Sequence, residues 1–518
     1  MPIIDKEEKA FRDPYIFASD VKAITLDNVL VNLFMLMRNN GARIKLMLKS
    51  GIFHDIKSLK KYFQILEENH DVIGYSDNPE AIESWLRSSL VNMVFRGKAK
   101  ENVASMRPLH LESYRIRNQR HTRDYNSADQ LFIMLSQRPE VMKALKNYLS
   151  IGWDNASRRL VDSSTLDVDT AGILHLIKLV DIDTKASSSQ IVIKPLLEKQ
   201  ANLFCDDIMR LLAYQHSIPR SVFIDYLRIL VGFHLSLYFQ KLIYLLPKMV
   251  KEGTVEVVDD WNQVVDLTDK LESNIAPIAC SDMDKTLNGL IDYIRASYSI
   301  RVMRRLETPN ALSMIKNPTV EINADINANL RAIYNKYYAN AKTAEEQQEA
   351  EQNVKDLQDY LQFEETPLDK YVQCLMKVGA AYQLKFSRDF IDKASMKNEA
   401  SALIIDGRSR KHTRRGAIGS KLLEVLVQLL VLEQTPSGEI GSRPLSIRQL
   451  AKEIRDRYGL IIDGTDEPRF KDADIKTHLA FKENMNALKN KLRQIGFYTD
   501  LSDASSLQKI RPRYKFNH

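Results

Sequence analysis

The sequence predicts a mainly α, multi-domain helical protein that ends in a winged helix-turn-helix domain. Three observations carry this. Apolar residues recur at three-and-four spacing, as in VKAITLDNVLVNLFMLMRN, DIKSLKKYFQILEEN and PEAIESWLRSSLVNMVF. Glycine and proline, 18 and 16 among 518 residues, are too sparse to interrupt that pattern except at its ends. After Lys421 the order is helix, helix, helix and then a two-stranded ribbon, as in a winged helix.

A hydrophobic share of 44% and a charged share of 27% suit a globular chain with a core of its own. Cys205, Cys280 and Cys374 are odd in number and far apart. They exclude a disulfide framework and a zinc ribbon, and fit a reducing, cytoplasmic compartment. The start, MPIIDKEEKAFRDPY, is charged from its fifth residue and lacks the order of a signal peptide. The net charge of +7 is mild for this length, so the placement of the cations carries the information.

An N-terminal helical domain is expected over 1–150 and a central helical domain over 160–335. The central domain is expected to hold a short strand pair built from QIVIK (Gln190 to Lys194) and TVEVVD (Thr254 to Asp259). Its segment SVFIDYLRILVGFHLSLYFQKLIYLL, Ser221 to Leu246, carries Asp225, Arg228, His234, Gln240 and Lys241. The clean apolar stretches between them fall short of the roughly 20 residues of a membrane span. A buried core helix is expected there, and no membrane partner. Connecting helices follow over 343–400. TAEEQQEAEQNVKDLQDYL opens with a capping box, Thr343 with Glu346. The thin stripe of Val354, Leu357 and Leu361 favours a solvated connecting helix over a coiled coil.

A basic arm and the winged helix fill 401–518. The first helix runs from Lys421 to Glu433 with Leu422, Val425, Leu426, Leu429 and Leu432 on one face. Ser446 caps the second, Ile447, Leu450 and Ile454 form its buried stripe, and Gly459 ends it. The third runs from Thr477 to Ile495 and stops at Gly496; FYTDL and LQKIRPRYKF form the ribbon.

The candidate site is a nucleic-acid surface. The third helix offers Lys482, Asn486, Lys489, Asn490 and Arg493; the ribbon offers Lys509, Arg511, Arg513 and Lys515 beside Tyr514. RSRKHTRRGAIGSK supplies an arm of Arg408, Arg410, Lys411, Arg414 and Arg415 with no carboxylate among them. Cations concentrated on elements that a fold brings together are the footprint of phosphate binding. A second basic segment, RPLHLESYRIRNQRHTRDY, sets Arg115, Arg117 and Arg120 between Tyr114 and Tyr125. The competing reading there is ion pairing with Glu112 and Asp124. The expected ligand is double-stranded DNA, with RNA left open.

No catalytic pattern emerges. GxxxxGK[ST], GxSxG, HExxH and CxxC are all missing. DIDTKASSSQIVIK comes near a PD-(D/E)xK nuclease but has Val192 two before Lys194, and HLIK spaces His175 and Lys178 too widely for HxK. Asp259, Asp260, Asp266 and Asp269 form an acidic cluster without EF-hand spacing, read as a solvated loop, and His234 is read as a satisfied core residue. No catalytic residue, metal ligand or cofactor is assigned.

LLEVLVQLLVLE, LAKEIRDRYGLIID and LKNKLRQIGFYTDLSDASSLQKIRPRY, with IPRSVFIDYLRILVGFHLSLYF upstream, resemble a subunit of multigene bacterial anti-phage systems of the methylation-associated defence type. The resemblance spans residues 160 to 518 and rests on structural motifs. It brings no active site. It implies a prokaryotic protein working beside a DNA methyltransferase, ATPases and nucleases encoded elsewhere. The expected function is a non-enzymatic DNA-binding or scaffolding subunit of such a complex. The alternatives are a metal-dependent nuclease or other effector with a site assembled from distant residues, and a protein-interaction adaptor that docks through the winged helix.

Overall fold

The longest helix, Arg220–Glu252, is apolar on every side and is covered on every side. It is long and apolar enough to cross a membrane, yet 94% of its most apolar window is buried by the rest of the chain. An apolar stripe seeks one partner; an apolar cylinder needs a ring of them. The ring comes from the whole sequence. Leu26–Arg38, Ser127–Leu135, Glu198–Leu212, Leu290–Arg305, Pro367–Ser395 and Ser420–Leu430 all pack against it. The computed structural model describes residues 2, 4–48, 55–94, 101–162, 165–179, 182–308, 310–339, 341–395, 401–405, 413–434, 440–498 and 509–514.

The protein is mainly α, with strands only as short pairs among the described residues. The longest pair is antiparallel, Ile44–Leu48 with Ile182–Ala186. One apolar cluster runs without a break from Ile4 to Ile510, so N-terminal, central and C-terminal segments share a core. The capping box at Thr343 and Glu346 forms. It opens the helix Ala344–Leu361, whose Val354, Leu357 and Leu361 are buried while most of its surface faces solvent. That helix packs on Val320–Ala339.

The expected strand pair at Gln190–Lys194 and Thr254–Asp259 does not form: neither segment is a strand. Val192 is 87% exposed and Val258 79% exposed. Alternation makes a strand only where one face finds a surface to bury against, and these two find none. The strands lie elsewhere. Gln263–Val264 pairs in parallel with Leu460–Ile461, joining segments nearly 200 residues apart. The first C-terminal helix also ends earlier than its apolar pattern suggests. It spans Ser420–Leu430, and Leu432–Gln434 turns into a strand paired with Ile440–Ser442.

The other two C-terminal helices follow their local signals. Ser446 caps Ile447–Tyr458 through Gln449, in a full capping box. Gly459 ends it at φ +75°, where a Cβ would stand 2.8 Å from the Trp261 carbonyl oxygen. Asp474 caps Ile475–Gln494.

Three contacts fasten the C-terminal region to the central segment. Asn484, fully buried, accepts from the Leu267 amide at 2.8 Å and donates to the Val265 and Ile462 carbonyls at 2.8 and 2.9 Å. Arg415 and Asp266 form a wholly buried ion pair at 2.7 Å. Lys491 donates to the Ile418 carbonyl and pairs with Asp269.

Removing one partner of a buried ion pair strands the other charge in a dry interior. Arg415→Met is therefore expected to lower the unfolding free energy by about 3–5 kcal/mol in a denaturant titration. A loss below about 1 kcal/mol would show that Asp266 is not held dry by this contact.

Candidate nucleic-acid interface

The helix Ile475–Gln494 has two faces of opposite character. Ala480, Phe481, Asn484, Leu488 and Leu492 turn inward. Lys482, Asn486, Asn490 and Arg493 are exposed, and Lys489 is half-buried with its Nζ 5.2 Å from the centre of the Tyr498 ring. Positions four, three and four apart fall in one row on a helix. The structure thus gathers Lys482, Asn486, Lys489 and Arg493 into a single outward stripe.

The chain returns to the end of this helix near its C-terminus. Leu445, just ahead of the second helix, pairs antiparallel with Ile510. Lys509, Arg511 and Arg513 around it are exposed. Arg513 reaches the Ile495 carbonyl, pairs with Glu424 at 2.6 Å and lies 4.8 Å over the Phe497 ring. Lys515 lies outside the described residues, as do Arg408, Arg410 and Lys411. The end of the arm folds inward. Arg414 grips Asp392 with two bonds of 2.7 Å, and Arg415 is 1% exposed against Asp266.

The N-terminal basic segment is largely committed to internal partners. Glu112 takes both Arg115 and Arg38, and Arg43 bridges Asp124 and Asp129. Arg117 is buried; it donates to Asn32 and to the Ile44 carbonyl, and burial, then the neighbouring Arg43, push its pKa down to about 10. Arg120 remains exposed.

The four aspartates of the acidic cluster go to four different cations. Asp259 pairs with Lys241, Asp260 with Lys248, Asp266 with Arg415 and Asp269 with Lys491. Among the described residues no three histidine, cysteine or acidic side chains converge as metal ligands.

Sequence reasoning missed the polar hub behind the interface. Asp207, wholly buried, accepts from His234 Nε2 at 3.0 Å, Tyr458 OH at 2.9 Å and Arg457 at 2.6 Å. It ties Glu198–Leu212 and the central helix to the second C-terminal helix. Burial alone would raise the Asp207 pKa; Arg457 and the His234 hydrogen bond outweigh it and hold the carboxylate below its ordinary range. Burial lowers the His234 pKa against the pull of Asp207. The imidazole is therefore neutral, with Nε2–H donating to Asp207 and Nδ1 accepting from Gln200 Nε2 at 3.2 Å. His234 and Asp207 have no exposed side-chain surface, so the cluster acts as a clamp. Its one visible signal was His234, a polar ring in an apolar helix.

Two buried histidines contribute to the acid response. Burial, then the nearby Arg220, lower the His110 pKa to about 3, and His234 is also lowered. Below an unfolded pKa of about 6.5 the unfolded chain binds protons that the folded chain refuses. Stability is then fully present above that value and falls as the pH drops, by up to about 1.4 kcal/mol per pH unit for each histidine. The melting temperature is expected to fall between pH 7 and pH 5, and less so in His110→Gln. A melting temperature flat across that range would contradict the buried neutral state.

Against known protein families, the one described as "Methylation-associated defense system protein MAD7" matches residues 6–514, and the chain belongs to that family. A comparison with curated proteins finds no match.

Proposed function

We propose that this member of the methylation-associated defence family is a non-enzymatic, cytoplasmic subunit that grips double-stranded DNA through its C-terminal region, while its helical body holds other subunits of the system. Residues 420–514 act as a winged helix, with Ile475–Gln494 as the helix that enters the major groove. The observation that carries the reading is the outward stripe of Lys482, Asn486, Lys489 and Arg493 on a helix anchored from behind by Asn484. Lysine and arginine on such a stripe contact phosphates, and asparagine and arginine also match base edges. The pairing of Leu445 with Ile510 supports the winged-helix assignment. It joins the stretch ahead of the second helix to the segment that carries Lys509 and Arg511.

A second reading, a protein-docking adaptor, draws on one observation. Ile475 and Leu479, one turn apart at the start of the same helix, are 79% and 55% exposed. Apolar side chains held in water at a helix start suit a protein partner better than a phosphate backbone.

Fluorescence anisotropy of the full chain on labelled duplex separates the two. The C-terminal helices are hydrogen-bonded to the central segment, so the whole protein is the proper reagent. Over about 50 to 300 mM salt, log affinity is expected to fall linearly with log salt. Replacing Lys482, Lys489 and Arg493 together by alanine is expected to weaken binding at least about tenfold and to flatten the slope by about 2 to 3. Salt-insensitive binding, or a triple variant that binds as the parent does, would defeat the DNA reading in favour of the adaptor.

A further inference from the structure

The N-terminal basic segment spends its hydrogen bonds inside the protein but not all of its charge. It borders a cavity of about 470 Å³ whose wall holds Lys22, Arg43, Lys45, Arg117 and Arg123. Small-molecule sites span about 300–1,000 Å³, and this volume falls among them. Two carboxylates share the wall, Asp20 and Asp124. Asp124 is taken, together with Asp129, by Arg43. Asp20 accepts from Asn126 Nδ2 at 2.9 Å. Among the described residues no carboxylate pairs with Lys22, Lys45, Arg117 or Arg123.

Arg43 with its two aspartates carries one negative charge and Asp20 carries another, so the four remaining cations leave the wall two charges positive. Arg117 makes that surplus costly. It is 7% exposed, its guanidinium is held only by neutral groups, Asn32 and the Ile44 carbonyl among them, and a guanidinium keeps its proton at neutral pH. A cation in a dry wall without a counter-charge favours an anion brought in from solution. A phosphate monoester, at about −1.5 to −2 near neutral pH, matches the surplus.

A smaller cavity of about 110 Å³ adjoins the first at Asp20 and Lys22, which belong to both walls. Its other walls are rich in rings: Phe11, Phe17, Tyr293, Tyr382 and Phe386. Tyr382 is 52% exposed and Phe386 half-buried, one turn apart on Pro367–Ser395 with ring centres 4.3 Å apart. The Lys22 ammonium stands between the cavities, 5.8 Å from the centre of the Phe386 ring and 5.3 Å from that of Tyr125, a wall residue of the larger one. Beside Tyr382, the Gln383 amide bonds to no protein group among the described residues. Accessible aromatic faces stack on nucleobases, and an amide offers a base edge both a donor and an acceptor.

We propose that the adjoining cavities bind a free mononucleotide, with its phosphate among Lys22, Lys45, Arg117 and Arg123 and its base against Tyr382 and Phe386. Lys22, Lys45 and Arg123 meet the phosphate from the rim, and buried Arg117 adds its charge from the wall. The site shares no residue with the stripe on Ile475–Gln494 and stands or falls without it.

The test is calorimetric titration of the full chain with AMP, GMP, CMP, UMP and inorganic phosphate at neutral pH and low salt. At least one nucleotide is expected to bind about tenfold or more tighter than inorganic phosphate, since only the nucleotide reaches the rings. Lys45→Gln combined with Arg123→Gln, both at exposed positions, is expected to weaken that nucleotide about tenfold. Tyr382→Ala should weaken it about fivefold or more and leave inorganic phosphate unchanged. Arg117→Met should also weaken it; if that variant fails to fold, the exposed pair still decides. The alanine triple variant of Lys482, Lys489 and Arg493 should bind the nucleotide as the parent does, which keeps this result apart from the DNA test. Absence of binding by all four nucleotides would overturn the proposal. So would a nucleotide indifferent to the exposed pair or to Tyr382→Ala, or its displacement by a short single-stranded oligonucleotide at lower concentration.

Discussion

A helix that is apolar all round can be stable in water only if other parts of the chain enclose it, and Arg220–Glu252 imposes that condition on everything else. Its Leu, Ile and Phe side chains are buried along nearly the whole length. Each contributes about 1.5–3 kcal/mol when taken out of water. No single neighbouring helix can cover a cylinder, so segments from the N-terminus, the middle and the C-terminal region converge on it. That is why one apolar cluster joins Ile4 to Ile510.

The enclosure brings charged groups inside with the apolar ones, and each is answered. Asp207 meets Arg457, His234 and Tyr458; Asp266 meets Arg415. Such pairs add little net stability against an apolar core of the same shape, because desolvation offsets their attraction. What they add is register. An Asp207 carboxylate with three donors tolerates one placement of the second C-terminal helix, and Asn484 with three backbone partners tolerates one placement of the third. The outward stripe of Lys482, Asn486, Lys489 and Arg493 is thereby presented on a rigid base.

The same network runs from Asp207 through His234 to Gln200, so one buried hydrogen-bonded chain joins Glu198–Leu212, the central helix and the second C-terminal helix.

Local chemistry was legible in the sequence. The helices capped by Thr343 and Ser446, the stop at Gly459, the buried nature of Ser221 to Leu246 and the polar face of the third C-terminal helix each depend on residues within a few turns of one another. The family resemblance was carried by such local stretches too. Tertiary structure alone decided the rest. Nothing local in QIVIK distinguishes a strand from an exposed segment, since the difference lies in whether a distant surface arrives to cover it. Nothing local in RSRKHTRRGAIGSK distinguishes Arg415, buried on Asp266, from a cation in water. Asp207, Arg457 and Gln200 carry no spacing signal because their partners are up to 251 residues away. Short-range periodicity fixes which face of an element is apolar; the choice of partner for a buried charge belongs to the assembled core, where an unmet charge is too costly to remain.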